Sequence, residues 1–262
     1  MIVAPERFWT RYAPLAAAGL VGVAATVPEQ VRIAEGVLPY LGHAMGGALP
    51  PGELLVIASV LQPAALVLIC AALGAALAQR YGLVSLLAHR SGWERFRAGL
   101  PVSLASGALL GLLFVLSDRL VFRAVEPEFF ENVAALAGSP AESLMVGVFY
   151  GGLSEEIMAR WGLISLFCWL SCRFAGSKDE CSTVATWYAI VLAAVLYALA
   201  HLPGAEFYAP LTDMLILRVM LLNTAAGVVF GWLFRRYTLE SAMLSHAGMH
   251  VVLFGASLVG WG

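Results

Sequence analysis

The stretch Gly151-Gly152-Leu153-Ser154-Glu155-Glu156-Ile157-Met158-Ala159-Arg160 plants three charges in the middle of an apolar run from Ser143 to Cys172. An ionisable group in hydrocarbon costs a few kcal/mol even on insertion scales, so charges in such a place call for a partner and a purpose. On an α-helix, Glu156 and Arg160 share a face at i, i+4, whereas Glu155 is turned by about 100° from its neighbour. Glu156 is therefore expected to pair with Arg160, leaving Glu155 to look elsewhere.

Outward from this stretch, the composition agrees with a membrane setting. Hydrophobic residues make up 61% of the chain and mean hydropathy is +0.85. Charged residues are 12%, against about 25% in soluble domains. An integral membrane protein follows, and a net charge of -2 without a basic face excludes a nucleic-acid partner. Cys70, Cys168, Cys172 and Cys181 lack CxxC spacing and read as buried thiols rather than disulfides or metal ligands.

About 20 apolar residues cross the hydrocarbon as a helix. Charge-poor windows at 12–27, 54–79, 98–117, 141–172, 183–201, 211–234 and 241–261 predict an all-α, polytopic transmembrane bundle of seven spans. Arg7 and Arg11 ahead of 12–27, with Val23-Ala24-Ala25 behind them, resemble a signal peptide, but a retained first span is the expected reading. No repeat or composition break divides the chain, so 1–262 is expected to be one domain with its motif-bearing core at about 141–262. Ten basic residues (Arg7, Arg11, Arg80, Arg90, Arg95, Arg97, Arg173, Lys178, Arg235, Arg236) fall on one side and three (Arg32, Arg119, Arg123) on the other, with Arg160 and Arg218 inside. The bias predicts a cytosolic amino terminus and an outer carboxy terminus, in a membrane read as the prokaryotic cytoplasmic one.

Two connections stand out. Residues 81–97 alternate leucines and aromatics with arginines and read either as an amphipathic interfacial stretch or as a solvated loop. Residues 118–142 are acidic, with Phe129 and Phe130 among the carboxylates, and read as a solvated outer loop or a peptide-contacting lid. GxxxG spacings at Gly107/Gly111, Gly147/Gly151 and Gly227/Gly231 mark expected helix contacts.

Three histidines, His201, His246 and His250, fall in the later spans, while His43 and His89 are assigned to loops. Two carboxylates, an arginine and three imidazoles in one small bundle are expected to share a polar cavity in the membrane. Desolvation and the neighbouring carboxylate make Glu155 ready to accept a proton, as a general base must be. His201 suits shared activation of a water, and His246 with His250 suits donation to an oxyanion. Such a set describes amide hydrolysis. A zinc site built from His201, His246, His250 and Glu155 is the alternative, since His246 and His250 lie at i, i+4.

Glu155-Glu156-x-x-x-Arg160, Tyr197-x-x-x-His201 and His246-x-x-x-His250 together resemble the EExxxR, FxxxH and HxxxN motifs of the CPBP family. That family comprises the intramembrane type II CAAX prenyl endopeptidases and the Abi-like bacteriocin-processing or bacteriocin-immunity proteins. The resemblance covers about 147–252 and implies that Glu155 and His201 activate water, His246 and His250 form the oxyanion site, and Glu156 and Arg160 support them. It further implies a metal-free protease acting on a hydrophobic or prenylated membrane-associated substrate in contact with lipid. Tyr197 in place of Phe keeps an aromatic packing group; His250 in place of Asn brings a larger side chain of a type that titrates near neutrality. A non-catalytic member that binds a membrane partner for immunity or regulation is the second reading, and a proton-coupled transporter the third.

One geometric conflict follows from straight α-helices. At about 1.5 Å per residue, Glu155 lies about 26 Å from Cys172 and His201 about 27 Å from Thr183. Both belong in the outer half of the membrane, whereas His246 belongs near the cytosolic side. A tilt or break near Gly151-Gly152 is expected to bring them together.

Overall fold

A computed structural model of the chain describes residues 7–44, 52–89, 91–174 and 182–261. Among them there is no strand, and seven helices are long and apolar enough to cross a membrane. The elements that build the site are α1 (Phe8–Ala25), α2 (Val27–Ala44), α3 (Gly52–Leu77), α4 (Trp93–Ser117), α5 (Pro127–Leu136), a long helix α6 (Pro140–Phe174), α7 (Thr183–Leu199), α8 (Leu202–Tyr208), α9 (Asp213–Arg236) and α10 (Leu239–Leu258). Arg90, Lys178 and Cys181 lie outside the described residues. Cys70, Cys168 and Cys172 are buried, as expected.

Hydroxyl caps set where the site-bearing helices begin. Ser139 accepts from Glu142 N while the Glu142 carboxylate accepts from Ser139 N, a reciprocal box that starts α6. The side chains of Ser182, Thr212 and Thr238 accept from backbone N–H groups at the starts of α7, α9 and α10. Trp161, Phe230 and Phe234 are fully buried at the centre of the bundle, while Leu61, Leu109 and Leu120 face outward, where lipid can receive them.

All three GxxxG pairs lie at helix contacts. A Cβ at Gly111 would stand 2.9 Å from Met249 O of α10, and one at Gly227 or Gly231 would stand 2.8 Å from Ala194 or Ile190 of α7. Gly147 and Gly151 of α6 face His250 and His246 of α10. The first helix belongs to the same core: Leu15 and Val23 are buried, and Ser154 Oγ donates to Gly19 O at 2.7 Å.

Four expectations need correction. Helix α6 does not break at Gly151-Gly152; it continues through them, wound with i→i+5 hydrogen bonds over Val146–Glu155 and again over Ile157–Ile164. Glu155 Oε2 and His246 Nε2 still come within 3.8 Å of each other, so the ends of α6 and α10 from which depth was counted are not level. Residues 82–89 are neither an amphipathic surface stretch nor a solvated loop: Leu83, Ser85, Ala88 and His89 are buried. Glu240 accepts from Ser85 Oγ at 2.6 Å and Leu87 N at 3.1 Å, and Val84 O accepts from Leu239 N, which anchors the start of α10. For the acidic segment the loop reading alone is corrected: it is largely helical, with Phe129 buried and Asp118 paired to Arg218. The backbone of His43 lies in α2 rather than in a loop.

Candidate active site

Helices α6 and α10 and the turn between α7 and α8, where His201 stands at the N-cap of α8, bring the expected residues to one place. Glu155 Oε1 lies 3.8 Å from His201 Nε2, and Glu155 Oε2 lies 3.8 Å from His246 Nε2. Glu156 turns the other way, where its Oε2 is 3.2 Å from Arg160 Nε in a pair closed off from the surroundings. The divided roles of the adjacent carboxylates thus survive the change from α winding to i→i+5 winding, because neighbours still point to different sides.

Partner chemistry assigns the imidazole protons. His201 Nδ1 is 2.7 Å from Tyr197 O, and a carbonyl only accepts, so Nδ1 carries hydrogen. Neutral His201 therefore presents an acceptor at Nε2 towards Glu155. Two acceptors make no bond to each other, but at 3.8 Å apart they suit the two O–H donors of one water. His246 Nδ1 is 2.8 Å from Glu156 Oε1, so Glu156 serves two partners, Arg160 and His246. An Nε2–H donor on His246 requires this Glu156–His246 pair to hold two protons between them; with one, on Nδ1, Nε2 is an acceptor.

Ring packing holds these groups. His246 is stacked between Phe230, at 4.7 Å, and His250, at 5.2 Å. The Arg160 guanidinium lies 4.7 Å from the Tyr197 ring centre and 5.2 Å from that of Phe230, and its Nη2 reaches Gly227 O at 3.4 Å. Such a cation between two aromatic faces is stabilised without water. A Cβ at Gly151 would stand 2.9 Å from His246 Nε2 and 3.2 Å from His250 Nε2, and one at Gly147 would collide with the His250 ring. Gly147→Ala is accordingly expected to cost about 1–3 kcal/mol through overpacking and to displace His250. Thermal unfolding in detergent checks the cost; a folded variant of wild-type stability would show that the ring is free to move aside.

Two cavities meet at Glu155. One of about 530 Å³ runs past Ser143, His246, His250 and Phe254. The other, of about 760 Å³, is more apolar, with Leu66, Met158, Leu163 and Leu196 on its walls. Tyr150, Tyr197, His201, Arg218 and Asn223 line both. The polar intramembrane cavity expected from the sequence is therefore present.

Sequence reasoning missed several of these features. The motif resemblance assigns Tyr197 packing alone, yet its hydroxyl donates to Glu155 Oε2 at 2.9 Å. Arg218 was placed in the membrane without a partner; Asp118 receives it through two bonds of 2.7 and 2.6 Å, beneath the rings of Phe129 and Phe130. Asn223 and Tyr150 carried only the weak signal of a polar group in an apolar span. Among the described residues, no group of three or more His, Cys, Asp or Glu side chains is arranged to hold a metal ion.

The fold and these groups define an integral membrane protein with a carboxylate–histidine site sunk between its helices. Residues 137–252 match the family described as Rce1-like, type II CAAX prenyl endopeptidase Rce1-like, consistent with the CPBP motifs. All the residues of those motifs lie within the match. No curated protein and no solved structure matches the chain.

Proposed function

We propose that this chain is an intramembrane endopeptidase that hydrolyses a peptide bond of a membrane-associated, hydrophobic peptide or protein. The observation that carries the reading is the approach of Glu155 Oε1 to His201 Nε2 across the wall of a cavity between apolar helices. Two acceptors so disposed orient a water by both of its hydrogens and leave its lone pairs free to attack. Glu155 takes one proton as the water oxygen adds to the scissile carbonyl carbon, and the carbonyl electrons move to oxygen. N–H groups of His246 and His250 stabilise that oxyanion, for which the Glu156–His246 pair must hold its second proton. Collapse breaks the C–N bond, and the proton on Glu155 passes to the leaving amine. General-base help of this kind is worth about 10²- to 10⁴-fold and an oxyanion donor about 10²- to 10³-fold.

The more apolar cavity suits the hydrophobic part of such a substrate, and the family match makes a prenylated carboxy-terminal segment the first class to try. The reading uses no metal; zinc held by His201, His246, His250 and Glu155 is its competitor. The same reading sets the chain in a prokaryotic cytoplasmic membrane with its amino terminus in the cytosol. In support, Arg95 contacts Gly82, Arg235 and Arg236, which gathers basic groups at one end of the bundle.

The test uses the full chain in proteoliposomes with an internally quenched CAAX peptide, farnesylated or unmodified. Cleavage of the farnesylated form, unchanged by chelator and without stoichiometric zinc in the protein, is the expected result. Stoichiometric zinc with activity lost on chelation would overturn the metal-free mechanism. Folded protein that cleaves neither peptide favours the partner-binding reading, for which His250 in the Asn position is the motif departure.

A further inference from the structure

Tyr197 touches both members of the water-activating pair. Its hydroxyl donates to Glu155 Oε2 at 2.9 Å, the one hydrogen bond to the Glu155 carboxylate among the described residues. Its carbonyl accepts from His201 Nδ1 at 2.7 Å, and its ring meets the His201 ring edge-on at 4.5 Å. The Arg160 guanidinium lies over the same ring, 4.7 Å from its centroid. A cation over a phenol ring withdraws electron density and makes its O–H a stronger donor. Phe, the residue of the motif that this stretch resembles, could supply the ring and the carbonyl but not the hydroxyl.

We propose that Tyr197 is a positioning residue of the site: its hydroxyl fixes Glu155 by Oε2 so that Oε1 faces His201, and its ring passes the influence of Arg160 to that carboxylate. This rests on the hydrolytic reading given above. The alternative donor to Oε2, His246 Nε2, stands 3.8 Å away, beyond direct hydrogen bonding. Without the hydroxyl, Glu155 is free to rotate in a cavity that it lines on two sides. The pair then loses the geometry in which both acceptors address one water.

Tyr197→Phe removes the hydroxyl and keeps the ring, the stack on Arg160 and the carbonyl bond to His201. A hydrogen bond to a charged group predicts a fall in kcat of about ten- to a hundredfold, with KM held within about twofold. Infrared difference spectra supply a readout that does not depend on turnover. The Glu155 carboxylate band, assigned by its loss in Glu155→Gln, is expected to shift in Tyr197→Phe. Wild-type kcat and an unmoved band in folded Tyr197→Phe overturn the proposal, even where Glu155→Gln is inactive and the hydrolytic reading stands. A fall in unfolding temperature with kcat and the band unchanged marks a structural hydroxyl and overturns it equally. Cleavage that survives Glu155→Gln overturns both readings.

Discussion

Glu155→Gln lowers kcat for peptide cleavage by about 10²- to 10⁴-fold, and His201→Ala does the same, with both variants folded. Gln keeps the size of Glu and can still accept from the Tyr197 hydroxyl, but it cannot take a proton from water. The substitution therefore isolates base chemistry from packing. In the proposed mechanism Glu155 and His201, 3.8 Å apart, share one water and act as a unit, so the double variant is expected to lose little more than either single one. Losses that multiply instead would mean that the two groups act on different steps. Cleavage unchanged in either folded variant would remove that residue from the mechanism.

Arg160→Met is expected to destabilise the protein by about 3–5 kcal/mol when the Glu156–His246 pair holds a single proton, because it then leaves Glu156 buried with its countercharge gone. Glu156 and Arg160 are almost wholly enclosed, and no solvent is near to take over the lost contact. The double variant Glu156→Gln/Arg160→Met removes both charges and is expected to recover most of that stability, since the cost lies in an uncompensated ion rather than in the missing bond. Gln at 156 still offers an oxygen to His246 Nδ1, so the ring is expected to keep its place. Unfolding curves of the two variants decide the matter. Equal instability in both would indicate that the packing of Arg160 against Tyr197 and Phe230, and not its charge, holds this region.

Much of the bundle was legible because its signals are local. A charge-free window long enough to cross hydrocarbon reads as a span whatever its neighbours do, and the i, i+4 pairing of Glu156 with Arg160 depends on one helix alone. The GxxxG spacings were legible as contacts for the same reason, though not their partners. What failed was the ruler. Counting depth from the helix ends put Glu155 and His246 far apart, and their 3.8 Å approach means that those ends are not level. Residues 82–89 failed differently. Their leucines alternate with polar groups as on a surface, but Glu240, far along the chain, satisfies their Ser85 hydroxyl and Leu87 N–H and draws the segment inward.

The residues capable of chemistry were set by the sequence alone: charges and imidazoles in hydrocarbon are too costly to be incidental, so Glu155, Glu156, Arg160, His201, His246 and His250 stood out before any fold was known. Which of them meet was decided only in three dimensions. Glu156 holds His246 as well as Arg160, and Tyr197 joins Glu155 to His201 through one hydroxyl and one carbonyl. Hydrogen bonds act over about 3 Å and depend on angle, and no spacing along a single helix specifies the approach of another.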